Sequence, residues 1–184
     1  MKSKFLAYLL RHSPLPDEYG WVPTERLIGE HRFSIDELTA IVKEDNKGRF
    51  EFSEDKTSIR ALYGHTAQVR MDYAPVPPPP VLYHGTAVRF IGDIRREGLR
   101  PKKRNYVHLS ETPEQASTVG SRHGSPVVLA IDTKQMLEDG YVFYNAQKGI
   151  WLTTEIGCKY FINEEPYFAR ESPAQLRCLE TSQI

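Results

Sequence analysis

Apolar residues in the first part of the chain recur at helical spacing. Phe5, Leu6, Leu9 and Leu10 fall on one face of a helix, because residues three and four apart lie above one another. Leu27 and Ile28 follow Thr24, whose hydroxyl can cap a second, short helix. Ser34-Ile35-Asp36-Glu37 fits a capping box, in which the serine accepts from the third amide and the glutamate reaches back. Leu38, Ile41 and Val42 then continue at helical spacing. After Asn46-Lys47-Gly48 the period drops to two. Arg49-Phe50-Glu51-Phe52-Ser53 alternates, Glu54 to Thr57 turns the chain, and Ser58 to Tyr63 predicts a return strand.

Three helices followed by a hairpin is the order of a winged helix, which carries no function by itself. Next comes Ala74-Pro75-Val76-Pro77-Pro78-Pro79-Pro80, which can neither continue a helix nor supply a ladder of amide donors. It reads as an extended spacer at 75–80 between a lobe of residues 1–74 and a lobe of residues 81–184. The second lobe is strand-rich. Strands are predicted at 81–83, 107–109, 127–131, 141–144, 150–153 and 160–162. A helix ended by Gly98 lies between the first two, and Thr112-Pro113-Glu114-Gln115 opens another. Two helices among six strands give an α+β class, a sandwich or split barrel rather than a doubly wound sheet. No GxGxxG or GxxxxGK[ST] occurs, so Rossmann and P-loop sites are unsupported.

Composition narrows the chemistry. The 184 residues are 40% hydrophobic and 26% charged, which suits a packed globular chain and not a disordered one. No apolar run approaches a membrane span, and the two cysteines, Cys158 and Cys178, cannot build a disulfide framework, so a reducing cytoplasm is expected. Lys plus Arg and Asp plus Glu both total 24, so any polyanion must be held by local clusters of cations rather than by net charge. One dense run is Arg95, Arg96, Arg100, Lys102, Lys103 and Arg104, which reads equally as an RNA-backbone patch or a solvated surface. The six histidines show no HExxH spacing and no cysteine pairing, so no metal is expected. A monomer is expected because no coiled-coil seam is left over.

Several polar residues exceed what packing requires. Arg11 and His12 end the first helix, where cations also favour the helix dipole. Arg60 lies on the strand face opposite Ile59 and Ala61 and reads either as functional or as a solvated hairpin residue. His84-Gly85-Thr86 ends an apolar strand, His108 sits inside one before Ser110, and Arg122-His123-Gly124 follows a capped helix. Arginines recurring beside histidines favour phosphate chemistry without a metal, because the guanidinium fork matches phosphate oxygens and keeps its charge.

These residues carry a resemblance. Leu10-Arg11-His12, Gly20-Trp21-Val22, Arg49-Phe50-Glu51-Phe52, Ile59-Arg60-Ala61, Gly64-His65, Leu82-Tyr83-His84-Gly85-Thr86, Val107-His108-Leu109-Ser110, Ser121-Arg122-His123-Gly124 and Trp151-Leu152-Thr153 occur in order from about residue 3 to 163. The series resembles the NAD-dependent RNA 2′-phosphotransferase family, known from tRNA splicing. The resemblance implies an RNA-holding winged helix followed by an NAD-holding lobe of the ADP-ribosyltransferase type. It implies that an internal RNA 2′-phosphate displaces nicotinamide from NAD, giving an ADP-ribosylated 2′-phosphate. Transesterification then yields 2′-hydroxyl RNA and ADP-ribose 1″,2″-cyclic phosphate. The family's catalytic tetrad falls on Arg11, His12, Arg60 and Arg122, and its cofactor site on His84, Gly85, Thr86, His108 and Ser110. Lys148 stands where members commonly carry Asn, and Leu62-Tyr63 where many carry Asn-Gln. Two other activities are compatible with such lobes: ADP-ribosylation of a terminal nucleic-acid phosphate, and NAD sensing by a winged-helix regulator. The presence of all four tetrad residues favours phosphate removal.

Overall fold

The computed structural model describes residues 2–66, 68–147 and 149–166, and the expectations resting on Lys148, Cys178 and the tail beyond Pro166 lie outside the described residues. The N-terminal unit runs α1 (Lys2–His12), β1 (Trp21–Pro23), α2 (Thr24–His31), α3 (Ile35–Lys43), β2 (Phe50–Phe52) and β3 (Ser58–Ala61). Leu6, Leu9 and Leu10 of α1 are buried, with Leu27, Leu38, Phe50 and Ile59 in the same apolar cluster. Phe5, the fourth apolar residue of α1, is instead exposed and stacks on Phe33 with ring centroids 6.1 Å apart. The capping box forms as expected: Ser34 Oγ accepts from Glu37 N, and Glu37 accepts from Ser34 N.

Two expectations for this unit are corrected. Thr24 does not cap α2. Pro23 occupies the cap position, and the Thr24 hydroxyl donates 2.9 Å to Thr57 O, tying the helix to the turn just before β3. The hairpin of β2 and β3 forms as expected, but it does not stand alone: β1 pairs with β3 and gives a three-stranded antiparallel sheet in the order β1-β3-β2. Trp21–Pro23 is too short to show a period of two. A turn upstream sets its start, with Tyr19 N and Trp21 N both donating to Asp17 Oδ1. The return strand ends at Ala61 rather than Tyr63, with a last bond in the same register from the Leu62 amide to Arg49 O.

The C-terminal unit runs β4 (Val81–Ala87), α4 (Ile91–Glu97), β5 (Val107–Ser110), α5 (Pro113–Gly120), β6 (Pro126–Asp132), α6 (Thr133–Glu138), β7 (Tyr144–Gln147), β8 (Ile150–Thr153) and β9 (Phe161–Pro166). All six strands form one antiparallel sheet, ordered β7-β8-β5-β4-β6-β9. The chain is therefore α+β throughout. Its second buried cluster includes Leu82, Leu109, Leu129, Ile131, Met136, Phe143 and Trp151. Thr112 caps α5 by accepting from Gln115 N, and Gly98 closes α4 at φ +76 with its amide on Ile94 O.

Here too the sequence reading needs correction. The strand expected at 141–144 lies at 144–147, because Phe143 buries its ring in the core while its carbonyl accepts from Val76 N. The helix α6 was not expected; Asp132 caps it by accepting from Gln135 N. The proline-rich segment is docked along this unit. Pro75 bridges to Tyr144, and Pro80 O accepts from the amides of Thr133 and Lys134. Tyr73, Tyr106 and Tyr144 pack ring on ring beside it, with centroids 5.6–6.0 Å apart.

Candidate functional site

The two units meet along residues that chemistry, not packing, explains. Gly64, His65, Met71 and Tyr73 line one wall of a narrow crevice, and Asn105, Tyr106, His108 and Leu152 line the other. Arg11 enters from the last turn of α1. Its guanidinium carbon lies 4.9 Å from the centre of the Tyr63 ring, and a Cβ on Gly64 would be in ordinary contact with it at 3.5 Å. The left-handed φ of +86 is what calls for glycine at this turn. Nε and Nη2 of Arg11 are buried without a hydrogen-bond partner. Burial, with repulsion from Arg49 and Arg104, lowers its pKa from the ordinary arginine value.

His12 follows on the same turn. The Thr66 hydroxyl donates to Arg11 O, so its single proton is committed, and His12 Nδ1 must donate to Thr66 Oγ1 at 3.1 Å. Nε2 of the neutral ring is then the free acceptor. Burial, Arg11 and Arg104 hold its pKa below the ordinary histidine value. His65 is buried beside it, pushed down to about 4 by burial and then by Arg11, His12 and Arg60. Arg60 stands on β3 between β1 and β2. Its guanidinium stacks 4.3 Å over Trp21, Nε donates 2.6 Å to Glu51 Oε1, and Nη1 reaches Tyr19 O.

On the other wall the β4–β5 ladder is short, with one registered pair at Tyr83 and Ser110. His84 Nδ1 donates 3.0 Å to the His108 carbonyl there, and His108 Nδ1 donates 3.1 Å to Tyr106 O. Both neutral rings therefore leave Nε2 as an acceptor, and that of His108 is buried without a partner. Burial lowers both pKa values, that of His108 to about 3, with Arg104 the next cause for His108. Both rings are neutral near pH 7. The His108 ring also meets Tyr63 from the N-terminal unit, with centroids 6.2 Å apart.

Arg122 lies in the 3-10 turn Ser121–His123 that follows α5, exposed and within electrostatic reach of Arg104. Arg11, His12, Arg60, His84 and His108 are thus gathered around one interlobe region, with Arg122 joined through Arg104. The remaining cofactor candidates are placed differently. Gly85 faces α5, where its missing side chain lets the Ala116 carbonyl close on β4. Thr86 is buried with its backbone against Gly120, and Ser110 is buried between Tyr83 and Ile150. Among the described residues, no group of three or more His, Cys, Asp or Glu could hold a metal ion. No helix there is long and apolar enough to cross a membrane.

Sequence reasoning missed Arg104, Glu51 and His65 as parts of this region. Arg104 was absorbed into the basic run, although its position four residues before His108 was a usable signal. Glu51 and Trp21 showed no chemistry of their own, since their role is to hold Arg60.

A model of the RNA 2′-phosphotransferase, Tpt1 / KptA family matches residues 1–155. The chain belongs to this family. Similar proteins include a probable RNA 2′-phosphotransferase of Agrobacterium fabrum, 47% identical over 168 residues, covering 86% of this chain and 90% of that one. Another, from Acaryochloris marina, is 42% identical over 173 residues, covering 89% and 96%. A third, from Escherichia coli O9:H4, is 40% identical over 169 residues, covering 86% and 92%. The family match spans every tetrad and cofactor candidate named above.

Proposed function

We propose that this chain removes an internal 2′-phosphate from RNA by transferring it to NAD. Family membership supports the removal of a 2′-phosphate from RNA. The N-terminal unit is read as a winged helix that holds the RNA, and the C-terminal sheet as an ADP-ribosyltransferase-type lobe that holds NAD. The observation that carries the reading is a region where Arg11, His12, Arg104 and Arg122 converge from both units without an ion pair among the described residues. Like charges repel, so an anion that enters such an arrangement is bound favourably.

The histidine wall fits the dinucleotide. His84 and His108 present neutral Nε2 acceptors, and the buried, unpartnered one suits a ribose hydroxyl or carboxamide N–H. NAD supplies an anomeric carbon whose leaving group, nicotinamide, departs neutral. The phosphate is already an ionised nucleophile, so no strong base is required for its attack. The arginine forks offset repulsion between the phosphate and the dinucleotide, and they stabilise the charge that builds on phosphorus-bound oxygens during transesterification. His12, neutral before substrate arrives, gains proton affinity once a dianion lies beside it and can donate from Nε2.

The test is direct. Purified protein is incubated without metal, with NAD and an oligoribonucleotide bearing an internal 2′-phosphate, and RNA species are followed by mass spectrometry. Loss of the phosphate that requires NAD is the expected result. RNA ending as an ADP-ribosylated species, or unchanged RNA, refutes the reading.

A further inference from the structure

The basic run at 95–104 is not one surface. Arg96 is neutralised on α4 by Asp93 at 2.9 Å and Glu97 at 2.8 Å, Lys102 extends over the Phe90 ring at 5.6 Å, and Lys103 is exposed. Arg104 is exposed as well, but it stands at a different corner. Its amide closes the turn from Pro101 O, three residues before β5 begins, and the adjoining Asn105 and Tyr106 line the interlobe crevice. From this corner its charge acts on Arg11 and His12 of the N-terminal unit and on His84 and His108 of the sheet. Arg122 in turn acts on Arg104. Arg104 makes no ion pair among the described residues, whereas Arg60 is already held by Glu51.

We infer that Arg104 is a phosphate-binding residue of the site, a further cation beyond Arg11, His12, Arg60 and Arg122, and that it grips the RNA phosphate undergoing transfer. The inference rests on the function proposed above and adds a residue to it. Two phosphates could meet Arg104: the one on the RNA and the pyrophosphate of the dinucleotide. Its links to Arg11 and His12, which belong to the unit read as holding RNA, favour the first. A residue on the turn just before β5 that reaches the phosphate held by the other unit also aligns the two substrates, which is where much of a two-substrate barrier lies. The guanidinium fork matters as well as the charge, because two parallel N–H donors match two phosphate oxygens.

The experiment uses the full chain and three variants: Arg104→Gln, Arg104→Lys, and Lys103→Ala as a surface control, each checked for an unchanged melting temperature. Binding is measured first, without NAD, for two oligoribonucleotides identical except that one carries a 2′-phosphate. The wild type is expected to prefer the phosphorylated RNA at least tenfold. Arg104→Gln should lose most of that preference, Arg104→Lys should keep part of it, and Lys103→Ala should keep it whole. With NAD present, Arg104→Gln should slow phosphate removal by ~10²–10³, the loss typical of one donor to a developing anion. KM for NAD should move by less than about threefold. If Arg104→Gln binds phosphorylated RNA with full preference, the inference is overturned. A rise in KM for NAD alone assigns Arg104 to the dinucleotide and overturns it too. A wild type that prefers phosphorylated RNA but does not consume NAD refutes the proposed reaction while leaving the binding result to decide on Arg104.

Discussion

Gly85 lies between two candidate site residues, yet the structure explains it by packing. A Cβ built there would overlap the carbonyl oxygen and carbon of Ala116 and lie 3.1 Å from Ala116 Cα. All three are backbone or Cα atoms of α5, so no side chain can swing aside to relieve the overlap. In Gly85→Ala, α5 must retreat from β4 by roughly an ångström or more. Retreat is resisted because Gly120, one turn on, brings α5 equally close to Thr86, and Ala116 is fully buried. Overpacking costs about 1–3 kcal/mol where neighbours can yield, so a value near the top of that range is expected against backbone. For a chain of this size ~3 kcal/mol lowers the melting temperature by about 6–12 °C. Gly29→Ala is the matched control: it is an exposed residue in α2 with no atom within 4 Å of a built Cβ. That substitution should stabilise by ~0.5–1 kcal/mol, because alanine is the better helix former. Thermal unfolding followed by circular dichroism measures both. A Gly85→Ala protein melting within a degree or two of wild type would show that α5 does not pack on β4 as described.

Three further predictions follow from the site. Glu51→Gln removes the anion that holds Arg60 Nε at 2.6 Å, so phosphate removal should slow about tenfold while the melting temperature shifts by less than about 2 °C. Equal rates for Glu51→Gln and wild type would mean that Arg60 is positioned by Trp21 alone. His65 titrates near 4 when folded against about 6.5 unfolded, so its stabilisation is complete above pH 6.5 and is lost as pH falls towards 4. The unfolded chain takes up a proton there that the folded chain refuses, which amounts to on the order of 3 kcal/mol. Urea titrations from pH 7 to 4.5 should show a flatter profile for His65→Asn, and parallel profiles would contradict the burial of this ring. Arg122→Ala and Arg60→Ala should slow transesterification more than nicotinamide release, so ADP-ribosylated RNA should accumulate in a time course, whereas His84→Ala should consume less NAD and accumulate nothing. Wild-type turnover by both arginine variants would remove them from the site.

Legibility followed the range of the interaction concerned. The caps at Ser34 and Thr112 were readable because donor and acceptor lie within three residues of each other. Long strands such as β6 were readable because seven residues show their pattern. β1 was not, since Trp21–Pro23 is a strand only by virtue of β3, more than thirty residues away. The misplaced β7 has a similar cause: Phe143 is apolar because it enters the core, and apolarity alone does not separate a core residue in a loop from one in a strand. At the site, Arg11, His12, Arg60 and Arg122 were named from their motifs, but nothing local distinguished Arg104 from Lys102 and Lys103. What separates them is which way the turn after Pro101 delivers each residue, and only the fold decides that.

The same fold explains how a chain with no net charge serves a polyanion. Several carboxylates are paired away from the site: Asp45 with Arg49, Glu37 with Lys2, Asp93 and Glu97 with Arg96, Asp139 with Lys159. Arg11, Arg104 and Arg122 make no ion pair among the described residues, so a positive local potential there is compatible with a total of zero. Arg11 carries the idea furthest. Two of its donors are buried without partners, and each such donor costs about 1–3 kcal/mol in the free protein. A phosphate that satisfies them recovers that energy, whereas a 2′-hydroxyl, with no charge to offer, recovers far less. On the function proposed above, these unpaired donors favour the phosphorylated RNA over its product, and the product leaves because removing the phosphate also removes what held it.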